Sequence, residues 1–456
     1  MGDKQSKPVA GRRKDLKTVH YDEWPTTTAN IPKKERALVC VSIDFGTTYS
    51  GFAYSFKSDP NHCFGQHKKF PTVVLLDPEQ KVVAFGTAAR DKYKQLTKTR
   101  EHTNWYLFER FKMALFVNDE PLSKDIELKD VDGKKMKAFD VFTQAIALMT
   151  TEVMNTLNGV YMNMHQRNGL EFKSETDIHW VLTVPAIWDD LAKKFMRDSA
   201  SKAGIPDEML TIALEPEVAS LYCLEKLGLS KLPTGHRFMI MDLGGGTADI
   251  TMHEVNADRT LSELHQPTGG DFGGTKSVMR RRFGDMITIP LEPSQAVLNG
   301  AVVYGHRPLA IAERVCKYTY GIGRMMKFKP HHPAHRKVKI DGLDYCDGIF
   351  NKHIEVGTKI RVAEDAEKAV VHKYFPTTTA MKQAVLDVYA SPFKDPMFVD
   401  DHGCQLVGLI KLDIDSHGDI YSELLVKMMF GGTELQVQVT DVKNNKITNA
   451  SFGFLG

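Results

Sequence analysis

Two apolar runs of closely matching design punctuate this chain. Val41-Ser42-Ile43-Asp44 leads into Phe45-Gly46-Thr47-Thr48-Tyr49-Ser50-Gly51, and Met239-Ile240-Met241-Asp242 leads into Leu243-Gly244-Gly245-Gly246-Thr247-Ala248-Asp249-Ile250. Each pattern predicts a strand that ends on Asp, turns through Gly and Thr, and resumes as a strand. Either turn alone is an ordinary hairpin. The repeat, about two hundred residues on, predicts an internal duplication whose halves face each other across a cleft.

Around the first copy, strand patterns fall near 37–44, 51–56, 72–76 and 81–85, and helical patterns near 104–116 and 137–157. Trp180 to Pro185 reads as a buried strand stopped by proline. Asp189 or Asp190 caps a helix from Leu191 to Ala203, with Gly204 as its stop. Strands alternating with helices predict an α/β layer fold. Leu229 to Gly235 reads as a linker. The second half is short: the second strand–turn–strand, the run Thr268-Gly269-Gly270-Asp271-Phe272-Gly273-Gly274, a basic helix start at Met279–Phe283, and a small-residue helix over Gln295–Tyr304. From about Arg307 alternating segments recur between turn signals, which predicts an antiparallel β-sandwich. The expected domains are a basic leader over 1–36, a first lobe over 37–228, a truncated second lobe over 229–306 and a β-domain over 307–456.

Composition narrows the class. Over 456 residues, 59 Lys and Arg nearly balance 57 Asp and Glu, so no global field argues for nucleic acid. No apolar run is long enough to span a membrane, and the six scattered cysteines without a C-x-x-C pair predict reduced thiols and a cytoplasmic location. Residues 1–36 are polar and basic, the pattern of a flexible tail. Met1-Gly2 with Ser6 matches a loose myristoylation pattern, against which acidic Asp3 argues.

The chemistry lies in the two turns. A strand-terminal Asp puts a carboxylate over the cleft, Gly lets backbone N–H groups approach an anion, and Thr adds hydroxyl donors without charge. Two such turns clamp the phosphates of a nucleotide, and their carboxylates then require a divalent cation. Mg²⁺ held by Asp44 and Asp242, through water, fits that role. The chain has no G-x-x-x-x-G-K-[ST] run, which excludes a P-loop enzyme. The second turn leads into a strand, which argues against a dinucleotide fold.

Ile43–Ser50 and Met241–Asp249 closely resemble the two phosphate loops of the 70-kDa heat-shock chaperones. Thr183-Val184-Pro185-Ala186 with its following helix resembles their connecting segment, and Ala213–Ser220 resembles their Asn-Glu-Pro-Thr-Ala-Ala stretch. Trp180, Ile187-Trp188, Glu217, Phe111-Lys112-Met113 and Tyr320-Gly321-Ile322-Gly323 are similar to a divergent branch of that family, the protein 12 type. The resemblance implies duplicated, ribonuclease H-like actin-type ATPase lobes. It implies phosphate contacts from Gly46, Thr47, Thr48 and Tyr49 on one side and from Gly244, Gly245, Gly246 and Thr247 on the other. Asp44, Glu215 and Asp242 would organise Mg²⁺ and the attacking water, with Asp249 supporting. ATP hydrolysis would then proceed in line, by positioning and electrostatics. Gly269, Gly270 and Gly300 fall where the family has glycines near the nucleotide. The family's catalytic Lys aligns with Arg110, and Lys112 is its neighbour.

Between Phe283-Gly284 and Pro293 the family has a helical subdomain of roughly a hundred residues, and this chain has only a few. That leaves open a splice form, an incomplete gene model, or a pseudo-ATPase. The resemblance implies ATP and ADP as ligands and extended peptides or a protein partner at the β-domain. A non-enzymatic scaffold is the main alternative, and a sugar-kinase-like phosphotransferase a weaker one.

Overall fold

A computed structural model describes residues 33–65, 69–116, 122–165, 172–226, 232–272, 276–362, 371–375, 383–413, 423–443 and 446–450. The leader up to residue 32, with its Met1-Gly2 pattern, Leu229 to Lys231 of the linker and Gly273-Gly274 lie outside the described residues.

The first lobe is built on β1 (Val39–Phe45), β2 (Tyr49–Phe56), β3 (Ile178–Val184) and β4 (Leu210–Leu214). The sheet runs β4-β3-β1-β2 and ends on the short strand Phe64–Gly65, with Phe70–Pro71 also against β2. β3 lies parallel to β1 and β2 antiparallel to it. Every residue of β1 and of β3 is buried, as near-continuous apolar runs require in a sheet covered on both faces. Helices α1 (Ala138–His165) and α2 (Asp190–Lys202) pack together, and Phe142 and Phe195 meet edge to face there. Asp189 caps α2 by accepting from the Ala192 N–H at 2.8 Å, as its position before an apolar run predicts.

The second lobe follows α3 (Glu215–Lys226). It holds β5 (Arg237–Leu243), β6 (Ala248–Val255), β7 (Leu261–Gly270) and β8 (Ile311–Val315), in that spatial order, closed by Lys359–Arg361. Two strands of this sheet thus come from beyond residue 306, where the sequence suggested the β-domain had begun. Helix α4 (Ala296–His306), read from sequence as closing the second half, packs instead on the first lobe's β1, β2 and β3 and crosses α3. Its small residues explain this. A Cβ at Gly300 would collide with the Val218 carbonyl, and one at Gly305 with the Cys40 sulfur.

Sequence reading also missed the helix Gly86–Thr99, which fully buries only Gly86 and Ala89 and whose apolar stripe is the narrow set Ala89, Tyr93 and Leu96. Near 104–116, where a helix was expected, the chain forms the strand Tyr106–Glu109 and a 3₁₀ turn, Phe111–Leu115.

The C-terminal region forms two antiparallel layers. Five strands between Thr319 and Asp413 face four between Val371 and Ala450. Tyr320, Ile322, Val388 and Ile410 share one apolar core with Val426, Met428, Val437 and Val439. This unit is tied to the first lobe by Arg197–Glu434, with Nε to Oε1 at 2.7 Å, and by Tyr320, whose hydroxyl donates to Asp190 at 2.5 Å.

Candidate functional site

The two predicted turns meet. Gly245 faces the Thr48 side chain so closely that a Cβ would strike its hydroxyl, and a Cβ on Gly246 would press on Thr47 and the Met113 sulfur. Within the first turn, Gly46 leaves no room for a Cβ beside the Tyr49 carbonyl. Thr72 ties that turn down, donating from its hydroxyl to the Gly46 carbonyl at 2.7 Å and from its N–H to the Thr48 carbonyl at 2.9 Å. In the second turn the Gly244 N–H donates to the Thr247 carbonyl at 2.9 Å. Tyr49 stays half exposed.

Behind the turns the strand-end carboxylates form an interacting cluster. Asp44, at the end of β1, accepts from the Thr183 hydroxyl at 3.3 Å and is ion-paired with Lys69. Glu215, at the start of α3, accepts from Lys112 at 2.7 Å. The Lys112 side chain is 2% exposed, with its ammonium over the Trp188 ring. Asp249, on β6 directly opposite Asp242, accepts from the Ile187 N–H at 3.0 Å.

Electrostatics reflects this crowding. Burial pushes the Glu215 carboxyl up to about 8, with Lys112 opposing and Asp44, Asp242 and Asp249 adding to the rise. Burial, then repulsion from Asp44 and Asp249, pushes Asp242 up to about 6 against the pull of Lys69 and Lys112. Burial raises Asp249 also. Burial disfavours the charge on Lys69, but Asp44, Asp242 and Glu215 outweigh it, so its pKa rises. Four carboxylates thus share two lysines. Among the described residues no three His, Cys, Asp or Glu side chains form a group that would hold a metal ion. A hard cation here would therefore keep much of its water, as Mg²⁺ does, and the all-oxygen donor set suits it.

Lys112, not Arg110, enters the cluster; Arg110 is exposed, with φ of 55°. Gly269 and Gly270 lie on β7 opposite Asp249 and Ala248. Gly300 sits in the α3–α4 crossing, a packing position against Val218, three residues along α3 from Glu215. Lys69 escaped sequence reading, because a lone Lys before a short strand carries no pattern. Thr183 could have been found, since a parallel strand beside β1 puts its hydroxyl next to Asp44. Two cavities lie elsewhere: one of about 80 Å³ near Glu217, Glu263 and Arg314, another of about 230 Å³ near Asn61, Tyr222 and Asn299.

Duplicated lobes with Asp–Gly–Thr hairpins meeting over shared carboxylates define an actin-like ATPase fold. The sequence profile described as Hsp70 protein matches residues 40–274, more than half of the chain, and the chain belongs to that family. It is 24% identical to heat shock 70 kDa protein 12A of Homo sapiens over 644 aligned positions, covering 94% of this chain and 93% of that protein. It is 23% identical to heat shock 70 kDa protein 12B of Homo sapiens over 652 positions, covering 94% and 93%. These likenesses put it in the divergent protein 12 branch. Both alignments are longer than the chain, so the relatives carry segments without a counterpart here. Among solved structures it is similar to MreB5 of Spiroplasma citri bound to ADP, with a TM-score of 0.29, 15% identity and 72% of each chain covered. Among the described residues no helix is long and apolar enough to cross a membrane.

Proposed function

We propose that this protein binds Mg-ATP by its phosphates between the two turns and hydrolyses it slowly or not at all. The observation that carries the reading is the cluster of buried Asp44, Glu215, Asp249 and Lys112 with half-buried Asp242 and Lys69, directly behind two glycine-rich turns in contact. In this reading Gly46, Thr47, Thr48 and Tyr49 face Gly244, Gly245, Gly246 and Thr247 across the phosphates, and their backbone N–H groups and hydroxyls donate to the phosphate oxygens. Mg²⁺, bound to phosphate, supplies charge neutralisation. Asp44 and Asp242 hold its water shell, Lys69 and Lys112 offset the negative charge of the cluster, and Glu215 with Thr247 orients the attacking water. Because Thr48 abuts Gly245, nucleotide enters only when the turns part.

The β-domain serves extended peptides or a protein partner, as a sandwich with open edges permits. We place the protein in the cytoplasm, a reading supported by six unpaired cysteines. A non-enzymatic scaffold is the second reading, favoured by the closed contact of the turns. Calorimetry with Mg-ATP separates the two. Binding that is lost in Asp44→Ala and Asp242→Ala supports the nucleotide reading, and no binding by the intact chain supports the scaffold. Phosphate release with the same variants measures hydrolysis.

A further inference from the structure

The two halves differ at one edge. β1 and β5 correspond residue for residue, each seven long with its Asp in the sixth place. β1 is paired on both sides, with β2 antiparallel and β3 parallel from Val39↔Ile178 to Asp44↔Thr183. Among the described residues β5 pairs only with β6. The consequence shows in burial: all seven residues of β1 are buried and none of β5 is.

Yet β5 has the composition of a central strand. Phe238, Met239, Ile240, Met241 and Leu243 make five of its seven residues apolar. The usual defences of a sheet edge are weak, with no Pro or Lys, Arg237 at the start, and the other charge, Asp242, engaged with the carboxylate cluster. Met239 is 45% exposed, and Met252, opposite it on β6, is 42% exposed. The inner side is secured differently, since Phe238 and Ile240 pack against the core shared with α3 and α4.

We propose that the free edge of β5 accepts an extended apolar strand from another polypeptide, running parallel to β5 as β3 runs beside β1. The first half states the chemistry of that strand. β3 is Ile-His-Trp-Val-Leu-Thr-Val, rich in β-branched and aromatic residues. Its Thr183 donates to Asp44. The incoming strand therefore has about seven mainly apolar residues and a hydroxyl residue opposite Asp242. A second copy suits the edge less well. Twofold pairing of two β5 strands about Ile240 sets Phe238 opposite Asp242, burying a carboxylate against an aromatic ring.

The test is hydrogen exchange on the full chain without nucleotide, so its outcome does not depend on the function proposed above. The probe is a peptide with the sequence of residues 177–186. The expected result is about tenfold slower exchange across Arg237–Leu243 at saturating peptide, no effect from the same peptide carrying Val181→Pro, and weaker protection in the Met239→Lys protein. Unchanged exchange at every peptide concentration overturns the proposal. So does protection present without peptide and lost on dilution, which assigns the edge to a second copy.

Discussion

Glu215 makes the cluster measurable without any ligand. It is 8% exposed and shares its surroundings with three other carboxylates, and its pKa stands at about 8 against 4.5 when unperturbed. A carboxyl whose folded pKa exceeds its unfolded value holds its proton more tightly in the folded protein. Its stabilising contribution is full below pH 4.5 and is lost as pH rises through about 8. At about 1.4 kcal/mol per pKa unit, the loss across that window is on the order of 5 kcal/mol. Glu215→Gln removes the ionisation while keeping a carbonyl for Lys112, which donates to Glu215 at 2.7 Å. Urea unfolding of both proteins, from pH 5 to pH 9, should show the variant gaining several kcal/mol relative to the parent toward high pH. Parallel stability curves, differing by a constant within about 0.5 kcal/mol, would mean that Glu215 does not hold its proton more tightly in the folded protein. Mg-ATP at about 100 times its Kd should restore about 2.7 kcal/mol to the parent at pH 8, because a ligand that binds only the folded state stabilises it.

Three further outcomes follow from packing and charge. Gly245→Ala drives a methyl into the Thr48 hydroxyl; it should cost about 1–3 kcal/mol in urea unfolding, and the double variant with Thr48→Ala should recover most of that. Gly300→Ala meets the Val218 carbonyl in a helix crossing, so its thermal midpoint should fall by several degrees, on the order of the shift 1–3 kcal/mol produces. Arg314 holds buried Glu217 with paired contacts at 2.8 and 2.9 Å; Arg314→Met should cost about 3–5 kcal/mol by stranding the carboxylate, whereas combining it with Glu217→Gln should return most of the loss in the same unfolding assay.

The duplication was legible because Asp, Gly and Thr recur in the same order, and each type is demanded by turn geometry or charge. The strand at Ile178–Val184 and the Asp189 cap were legible for equally local reasons. What failed to show was membership. A small-residue helix looks the same whichever sheet it covers, so sequence order alone places α4 with the half that precedes it. Only the clearance at Gly300 and Gly305 fixes it against α3 and the first lobe. β8 and Lys359–Arg361 likewise read as ordinary alternating strands, and nothing local says that they extend the second lobe's sheet. Lys69 reaches Asp44 from outside any motif, and Lys112 is told from Arg110 by the αL turn at Arg110 that sends the two side chains apart.

The packing of α4 also separates the two surfaces on which function is proposed. After the short segment from Gly284 to Pro293, the chain returns to the first lobe before it resumes the second lobe's sheet as β8. The inner side chains of β5, Phe238 and Ile240, rest against the core that α3 and α4 share. That core therefore sets the height of Asp242 over the cluster, while the outer face and edge of β5 contribute little to its placement. A site held from the inside keeps its carboxylates together whether or not the edge is covered. Phosphate binding and strand capture are accordingly separable: Met239→Lys should leave Mg-ATP affinity within about twofold in calorimetry, and a tenfold loss would mean that the edge, rather than the helical core, positions Asp242.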